Sequence, residues 1–218
     1  MLNGISRGPS SKKEYFDLGA NVFAENRILL SRLFSVCFLL LFFFTEPKLD
    51  DTVWEALLFF SGLVLVGIAT VGRLWCSLYI SGRKSTELVI HGPYSMCRHP
   101  LYFFSFLGVI GLGLSTEVIS LAILLTFIFV FSYQSVIRSE EYFLEDKFAD
   151  RFRSYREAVP RFFPKWRGHK ELESLEVAPR IFLRSVSEAL WFAGLVGLLE
   201  FLEAVKALTS APSYFQLY

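Results

Sequence analysis

The chain has few cysteines and little net charge, and these two shortages exclude several classes of protein. Its three cysteines, Cys37, Cys76 and Cys97, lie at no spacing typical of a metal site or a disulfide framework. The formal net charge is +1, which leaves no basic footprint for nucleic acid. The mixed-charge N-terminus lacks the pattern of a cleaved signal. We therefore expect no metal centre and no nucleic-acid partner.

Apolar residues are abundant instead. The 218 residues are 53% hydrophobic and include 24 phenylalanines, and the mean hydropathy is +0.44. Soluble domains of this size are rarely so apolar. The composition predicts a small integral membrane protein with a single domain over residues 1–218.

The apolar residues fall into separate runs. A polar N-terminus, 1–27, precedes four apolar helices within 28–137, and a charged segment, 138–187, precedes a C-terminal apolar helix, 188–218. This order predicts an all-α integral membrane protein with four to five transmembrane helices and a partly amphipathic cytoplasmic C-terminal segment. The last apolar run, 190–208, carries Glu200 and Glu203, so it either crosses the membrane or lies along its surface.

Basic residues are distributed unevenly between the loops. Arg and Lys precede the first run, lie between the second and third runs, and recur after Ile137, whereas Lys48 is the only basic residue in the other two loops. By the positive-inside rule, the N-terminus, the segment 91–102 and the charged segment face the cytoplasm.

The segment 91–102 is too polar and too kinked to be an ordinary membrane helix. Pro100 suits the first position of a helix, which places His99 at the N-cap and Tyr102 in the first turn. Free backbone amides and the helix dipole attract an anion there, and Arg98 adds a planar guanidinium that can bind a carboxylate or phosphate. These features predict a binding site at the start of this helix.

Two further polar elements follow the fourth run. Glu140 and Glu141 are adjacent, so on a helix their side chains diverge by about 100° and only one is expected to face a shared pocket. The second element is Val159-Pro160-Arg161, which ends the amphipathic stretch. Neither element is specific when taken alone.

The order of the elements is more specific. Gly92-Pro93-Tyr94, then Arg98-His99-Pro100-Leu101-Tyr102 opening a membrane helix, then a helical hairpin, then Glu140-Glu141 and Val159-Pro160-Arg161, resembles the isoprenylcysteine carboxyl methyltransferase family. Phospholipid methyltransferases are similar to that family. The resemblance covers residues 87–164, about a third of the chain.

The resemblance implies a methyltransferase that uses S-adenosylmethionine. The residues implied to bind the donor are Gly92, Pro93, Tyr94, His99, Tyr102 and one of Glu140 and Glu141. Arg98 and that glutamate are implied to matter most for activity, and we favour Glu141. The sequence departs from the family at Phe104, where a glycine is usual.

The resemblance leaves the methyl acceptor open. An isoprenylated cysteine carboxylate, a phospholipid amine and a small thiol all fit a lipophilic acceptor that enters from the membrane lipid. Two other functions compete with methyl transfer: an NADPH-dependent membrane reductase of an isoprenoid or sterol-like double bond, and a non-enzymatic lipid-binding membrane protein.

Overall fold

The computed structural model describes residues 38–39, 42–43, 45–47, 53–83, 87–209 and 215–217. The chain divides into two compact units, Met1–Phe44 and Thr45–Tyr218. The four described residues of the first unit are helical. Most of the first predicted apolar run and all of the basic residues before it lie outside the described residues. The second unit carries the candidate site.

Helices dominate the second unit. They are α1 (Val53–Ile80), α2 (Pro93–Met96), α3 (Pro100–Leu114), α4 (Ile119–Ala158), a 3-10 turn at Trp166–Gly168, and α5 (Pro179–Thr209). Two short strands, β1 (Thr45–Pro47) and β2 (Phe215–Leu217), pair in parallel. The predicted all-α class is confirmed, with this strand pair as an addition.

Three of these helices, α1, α4 and α5, are long and apolar enough to cross a membrane. The 15 residues of α3 rise only about 22 Å at 1.5 Å per residue, less than a bilayer core of about 30 Å. The last helix begins at Pro179, earlier than the predicted position 188. Its length is that of a span, and it packs against α1. The protein is therefore an integral membrane protein.

The helices run back and forth between two ends of the second unit. At the turn after α3, the amide of Glu117 donates to the carbonyl of Leu114 at 3.0 Å, which closes the predicted hairpin. The hydroxyl of Ser81 donates to the carbonyl of Ala178 at 3.1 Å, so the start of α5 lies beside the end of α1. We call the segment 91–102 the motif, and we call this end of the unit, which carries residues 91–99, the motif end.

Helices α1 and α3 approach closely through glycines. A Cβ atom added to Gly111 would lie 2.7 Å from the carbonyl oxygen of Gly62 and 2.9 Å from the amide nitrogen of Val66. Backbone atoms cannot rotate away as the end of a side chain can. Small residues at such a crossing let membrane helices gain close van der Waals contact.

We expect Gly111→Ala to push α1 and α3 apart and to lower the free energy of unfolding by about 1–3 kcal/mol, the usual cost of overpacking. Gly67→Ala is the matched control, because a Cβ there would meet nothing within 4 Å. Thermal melting of the purified protein in detergent measures both variants. Equal melting temperatures for the two would contradict the close approach of α1 and α3.

A break interrupts the long helix α4. Ala149 has φ 42° and ψ −115°, outside the helical region. The sequence predicts one unbroken amphipathic stripe through Leu144, Phe148, Phe152 and Tyr155. The structure keeps the buried end of that stripe, since Phe152 and Tyr155 are buried, but the break redirects it. Alanine is a strong helix former, so no local signal marks this position.

Candidate active site

The motif begins with a backbone turn that requires glycine. Gly92 has φ 59°, and a Cβ on it would lie 2.3 Å from the ring of Tyr79. Pro93 follows as the first residue of α2, where its missing amide costs no hydrogen bond. The hydroxyl of Ser95 donates back to the carbonyl of Gly92 at 2.6 Å. Gly92 and Pro93 therefore shape the backbone that presents Tyr94.

The segment after α4 holds this motif through the backbone. Three backbone hydrogen bonds join the two stretches: Arg98 to Pro160 at 2.9 Å, Lys165 to Met96 at 2.9 Å, and Gly92 to Lys170 at 2.7 Å, each written donor first. The phenol of Tyr155 adds a fourth contact by donating to the carbonyl of Tyr94 at 2.6 Å. Two polar stretches about 60 residues apart in the sequence are thus held together by hydrogen bonds.

Glu141 is the centre of an ion cluster at the motif end. Its Oε1 lies 2.9 Å from Nη1 of Arg98 and 3.2 Å from Nε2 of His99, and its Oε2 lies 2.8 Å from Nη2 of Arg161. The other ring nitrogen of His99 lies 3.6 Å from Oε2 of Glu140. His99 therefore lies between the two carboxylates, and both oxygens of Glu141 are engaged by basic side chains.

The surroundings shift the pKa values of His99 and Cys97. Burial lowers the pKa of His99, but hydrogen bonds to Glu140 and Glu141 outweigh it, so the net direction is upward from 6.5. The contact of protonated His99 with the two glutamates therefore stabilises the fold fully below pH 6.5, and this stabilisation is lost as pH rises through the raised pKa of His99. Burial raises the pKa of the Cys97 thiol to about 12, so this cysteine is not a thiolate nucleophile at neutral pH.

A cavity of about 90 Å³ opens beside the cluster. Its polar lining residues are Tyr94, Arg98, His99, Tyr102, Glu87, Glu140 and Tyr155. Its apolar lining residues are Ile80, Leu88, Val89, Leu101 and Leu144. The ring of Tyr102 stacks on His99 with centroids 5.7 Å apart, which fixes both rings. A lining that combines apolar side chains with a few polar groups is typical of a small-molecule site.

The structure brings together most of the predicted site residues. Tyr94, Arg98, His99, Tyr102 and Glu140 line the cavity. Gly92 and Pro93 lie in the backbone behind Tyr94. Glu141, favoured from the sequence as the donor contact, instead lies behind Arg98 and His99 with both oxygens occupied, whereas Glu140 lines the cavity. The geometry therefore favours Glu140 for direct contact, and the choice between the two stays a prediction.

The position that departs from the family pattern lies away from the cavity. Phe104 is 7% exposed, and its ring fills the space beside Gly72, where an added Cβ would lie 2.1 Å from it. It also lies 6.5 Å from the ring of Trp75, measured between centroids. The bulky side chain thus packs α1 against α3 and leaves the cavity walls unchanged.

Tyr155 and Arg161 are site residues that the sequence did not reveal. Tyr155 lines the cavity and hydrogen-bonds the motif, and Arg161 binds Glu141. Arg161 belongs to the Val-Pro-Arg element noted in the sequence, but spacing alone does not show that it reaches back to α4.

The cavity residues fit the charged groups of S-adenosylmethionine. Within the described part of the chain, Nε of Arg98 is buried without a hydrogen-bond partner, and Nη1 touches Glu141 without hydrogen-bond alignment. A guanidinium in this position can donate hydrogen bonds to a carboxylate. Glu140 supplies the opposite charge for an ammonium, and the tyrosine rings supply faces for a sulfonium.

Comparisons with known proteins identify a family and two relatives. The profile of the phospholipid methyltransferase family matches residues 56–151. The nickel-cobalt-cadmium resistance protein NccN of Alcaligenes xylosoxydans xylosoxydans is 44% identical over 168 residues, which cover 77% of this chain and 78% of that protein. The cobalt-zinc-cadmium resistance protein CzcN of Cupriavidus metallidurans is 39% identical over 175 residues, covering 80% and 81%. No solved structure matches the chain significantly.

Proposed function

Since this chain belongs to the phospholipid methyltransferase family of membrane proteins, we propose that it transfers a methyl group from S-adenosylmethionine to a lipophilic acceptor at the motif end. The observation that carries this proposal is the cavity itself. It is lined by the guanidinium of Arg98 and the carboxylate of Glu140 together with aliphatic side chains. A charged donor and a lipid-borne acceptor can meet only where both kinds of surface are present.

The chain's own residues would bind and orient rather than react. Arg98 would hold the donor's carboxylate, Glu140 its ammonium or ribose hydroxyls, and Tyr102 its sulfonium. When bound, S-adenosylmethionine supplies a methyl group whose bond to sulfur breaks, leaving the electron pair on sulfur, as the acceptor's lone pair bonds to carbon. In-line placement and exclusion of water account for much of the rate of such a displacement.

A carboxylate acceptor would need no general base, because it already carries the attacking lone pair. An amine acceptor would have to lose a proton, and His99 and Glu140 are titratable groups that line the cavity. Leu101 and Leu144, which line the cavity, would contact the lipophilic part of the acceptor as it enters from the bilayer. Among lipophilic acceptors, a carboxylate therefore makes the smallest demand on the site.

We also propose that the motif end faces the cytoplasm, as the distribution of basic residues favours. A single cysteine at position 50, in a chain whose native cysteines are replaced by serine, should react with a membrane-impermeant maleimide from outside the cell only. A single cysteine placed instead at position 150, where Asp150 is 92% exposed, should react with the same maleimide only after the membrane is opened. Labelling in the reverse order would contradict the orientation.

The proposed function is tested by equilibrium binding of radiolabelled S-adenosylmethionine to the protein in lipid nanodiscs, with NADPH as a competitor. We expect saturable binding that NADPH does not displace, and transfer of label to one class of lipid or lipidated protein in a host extract. Displacement by NADPH would support the reductase, and binding of neither molecule would support the lipid-binding alternative. Because the relatives are named for metal resistance, growth on cobalt of a host strain carrying an inactive variant would show whether methyl transfer serves that resistance.

A further inference from the structure

An arginine of α1, Arg73, lies half-buried against α3 and α5. Nη1 of Arg73 donates a hydrogen bond to the hydroxyl of Ser105 on α3, and its guanidinium lies 5.5 Å from the ring centroid of Phe192 on α5. Within the described residues, no carboxylate forms an ion pair with Arg73, and its Nε is buried without a hydrogen-bond partner. A charged side chain within a membrane span is costly and is by default a sign of function.

Arg73 lies along the groove between α1 and α3, and residues of both helices line the cavity further along that groove. Ile80 lines the cavity from α1, and Arg73 precedes it by seven residues, which is within about 20° of two full helical turns. Leu101 lines the cavity from α3, and Ser105 follows it by four residues on the same face, with its hydroxyl bonded to the Leu101 carbonyl at 2.8 Å. The Arg73–Ser105 pair therefore lies about 6–10 Å deeper along the α1–α3 groove.

A purely structural role does not account for the charge. A neutral side chain of similar length could donate to Ser105 and pack on Phe192 without the cost of burying a cation. The buried and unsatisfied Nε adds a further cost, which an incoming acceptor of hydrogen bonds would remove. Nη1 is bonded to Ser105 and Nε has no partner, so the guanidinium has hydrogen-bonding capacity that these contacts do not use. The side chain is thus suited to an anion that arrives through the groove.

We propose that Arg73 binds an anionic oxygen group, a carboxylate or a phosphate, of the lipophilic methyl acceptor as it enters from the bilayer below the donor cavity. The inference rests on the proposed function and adds Arg73 to it as the residue that recognises the charge of the acceptor. A planar guanidinium recognises both groups through paired hydrogen bonds. The acceptor would then be held by its charge on Arg73 and by its chain between the helices.

The test measures binding of three amphiphiles with the same chain, dodecanoate, dodecyl phosphate and dodecanol, to the full-length protein in zwitterionic nanodiscs. We expect wild type to bind one or both anions more tightly than dodecanol, and the two anions separate a carboxylate acceptor from a phosphate one. Arg73→Gln should weaken anion binding by about ten- to a hundredfold and leave dodecanol unchanged. Arg73→Lys should retain part of the anion binding, because it keeps the charge and loses the fork.

Arg184→Gln is the matched control, because Arg184 is 83% exposed on the surface of α5. Binding of S-adenosylmethionine, measured on the same samples, separates the two proposals. If the donor fails to bind while anion binding depends on Arg73, the proposed function fails and the anion site stands. Equal affinity of wild type for all three amphiphiles, or equal losses for dodecanol and the anions in Arg73→Gln, would overturn the inference. If Arg73→Gln does not fold, Arg73→Lys carries the comparison.

Discussion

Arg98→Ala is expected to lower the affinity for S-adenosylmethionine by at least about tenfold and to reduce methyl transfer at least as much, while the protein remains folded in the membrane. Loss of a charge-assisted hydrogen bond costs about 1.5–3 kcal/mol, which corresponds to roughly ten- to a hundredfold in binding or rate. The alanine variant also removes the contact at 2.9 Å with Glu141, but Arg161 and His99 still neutralise that carboxylate. The loss should therefore fall on the donor site more than on stability.

Arg98→Lys should recover only part of the affinity, because a point charge replaces a planar fork. Arg153→Ala is the matched control, since Arg153 is 58% exposed and pairs with acidic residues on the surface of α4. Isothermal titration with the donor and a melting curve for each variant separate binding from folding. Donor affinity in Arg98→Ala equal to that of wild type would mean that this arginine serves the ion cluster alone.

The helical plan could be predicted from the sequence because its signals are local. Pro100 marks the start of α3, the polar residues 115–117 mark its turn, and Val159-Pro160 ends α4 one residue after Ala158. Each of these depends on the backbone chemistry of one or two residues. The approach of 98–102 to 140–141 followed from the hairpin, which brings the start of α3 beside residues 140–141 of α4.

The parts that were not predicted depend on contacts between distant residues. Which glutamate faces the cavity is set by the rotation of α4, and Arg161 fixes that rotation by binding Glu141. The β1–β2 pair joins the two ends of the second unit, and three residues carry no strand signal. Arg73 appeared in the sequence as one more basic residue near the end of a span. Its partners Ser105 and Phe192 lie on two other helices.

The charged side chains of the ion cluster are tolerated together because opposite charges lie in contact. Glu141 carries one negative charge against the two positive charges of Arg98 and Arg161, and Glu140 supplies the second carboxylate of the cluster, beside His99. The two adjacent glutamates therefore divide the work by position. One neutralises the basic side chains behind the cavity, and the other contributes charge to the cavity wall.

Glu140→Gln and Glu141→Gln are accordingly expected to differ in kind. Glu141→Gln removes the carboxylate that holds Arg98, Arg161 and His99, so it should lower the free energy of unfolding by about 1.5–3 kcal/mol and weaken donor binding together. Glu140→Gln should weaken donor binding about tenfold or more with little change in melting temperature, because its carboxylate lines the cavity. Glu145→Gln, on the surface of the same helix beside Arg153 and Arg156, is the matched control and should change neither quantity. Melting curves and donor titrations on the four proteins decide the matter: a Glu141→Gln variant that loses donor affinity at full stability would restore Glu141 as the direct contact, and mild, equal losses in both variants would mean that neither glutamate binds the donor.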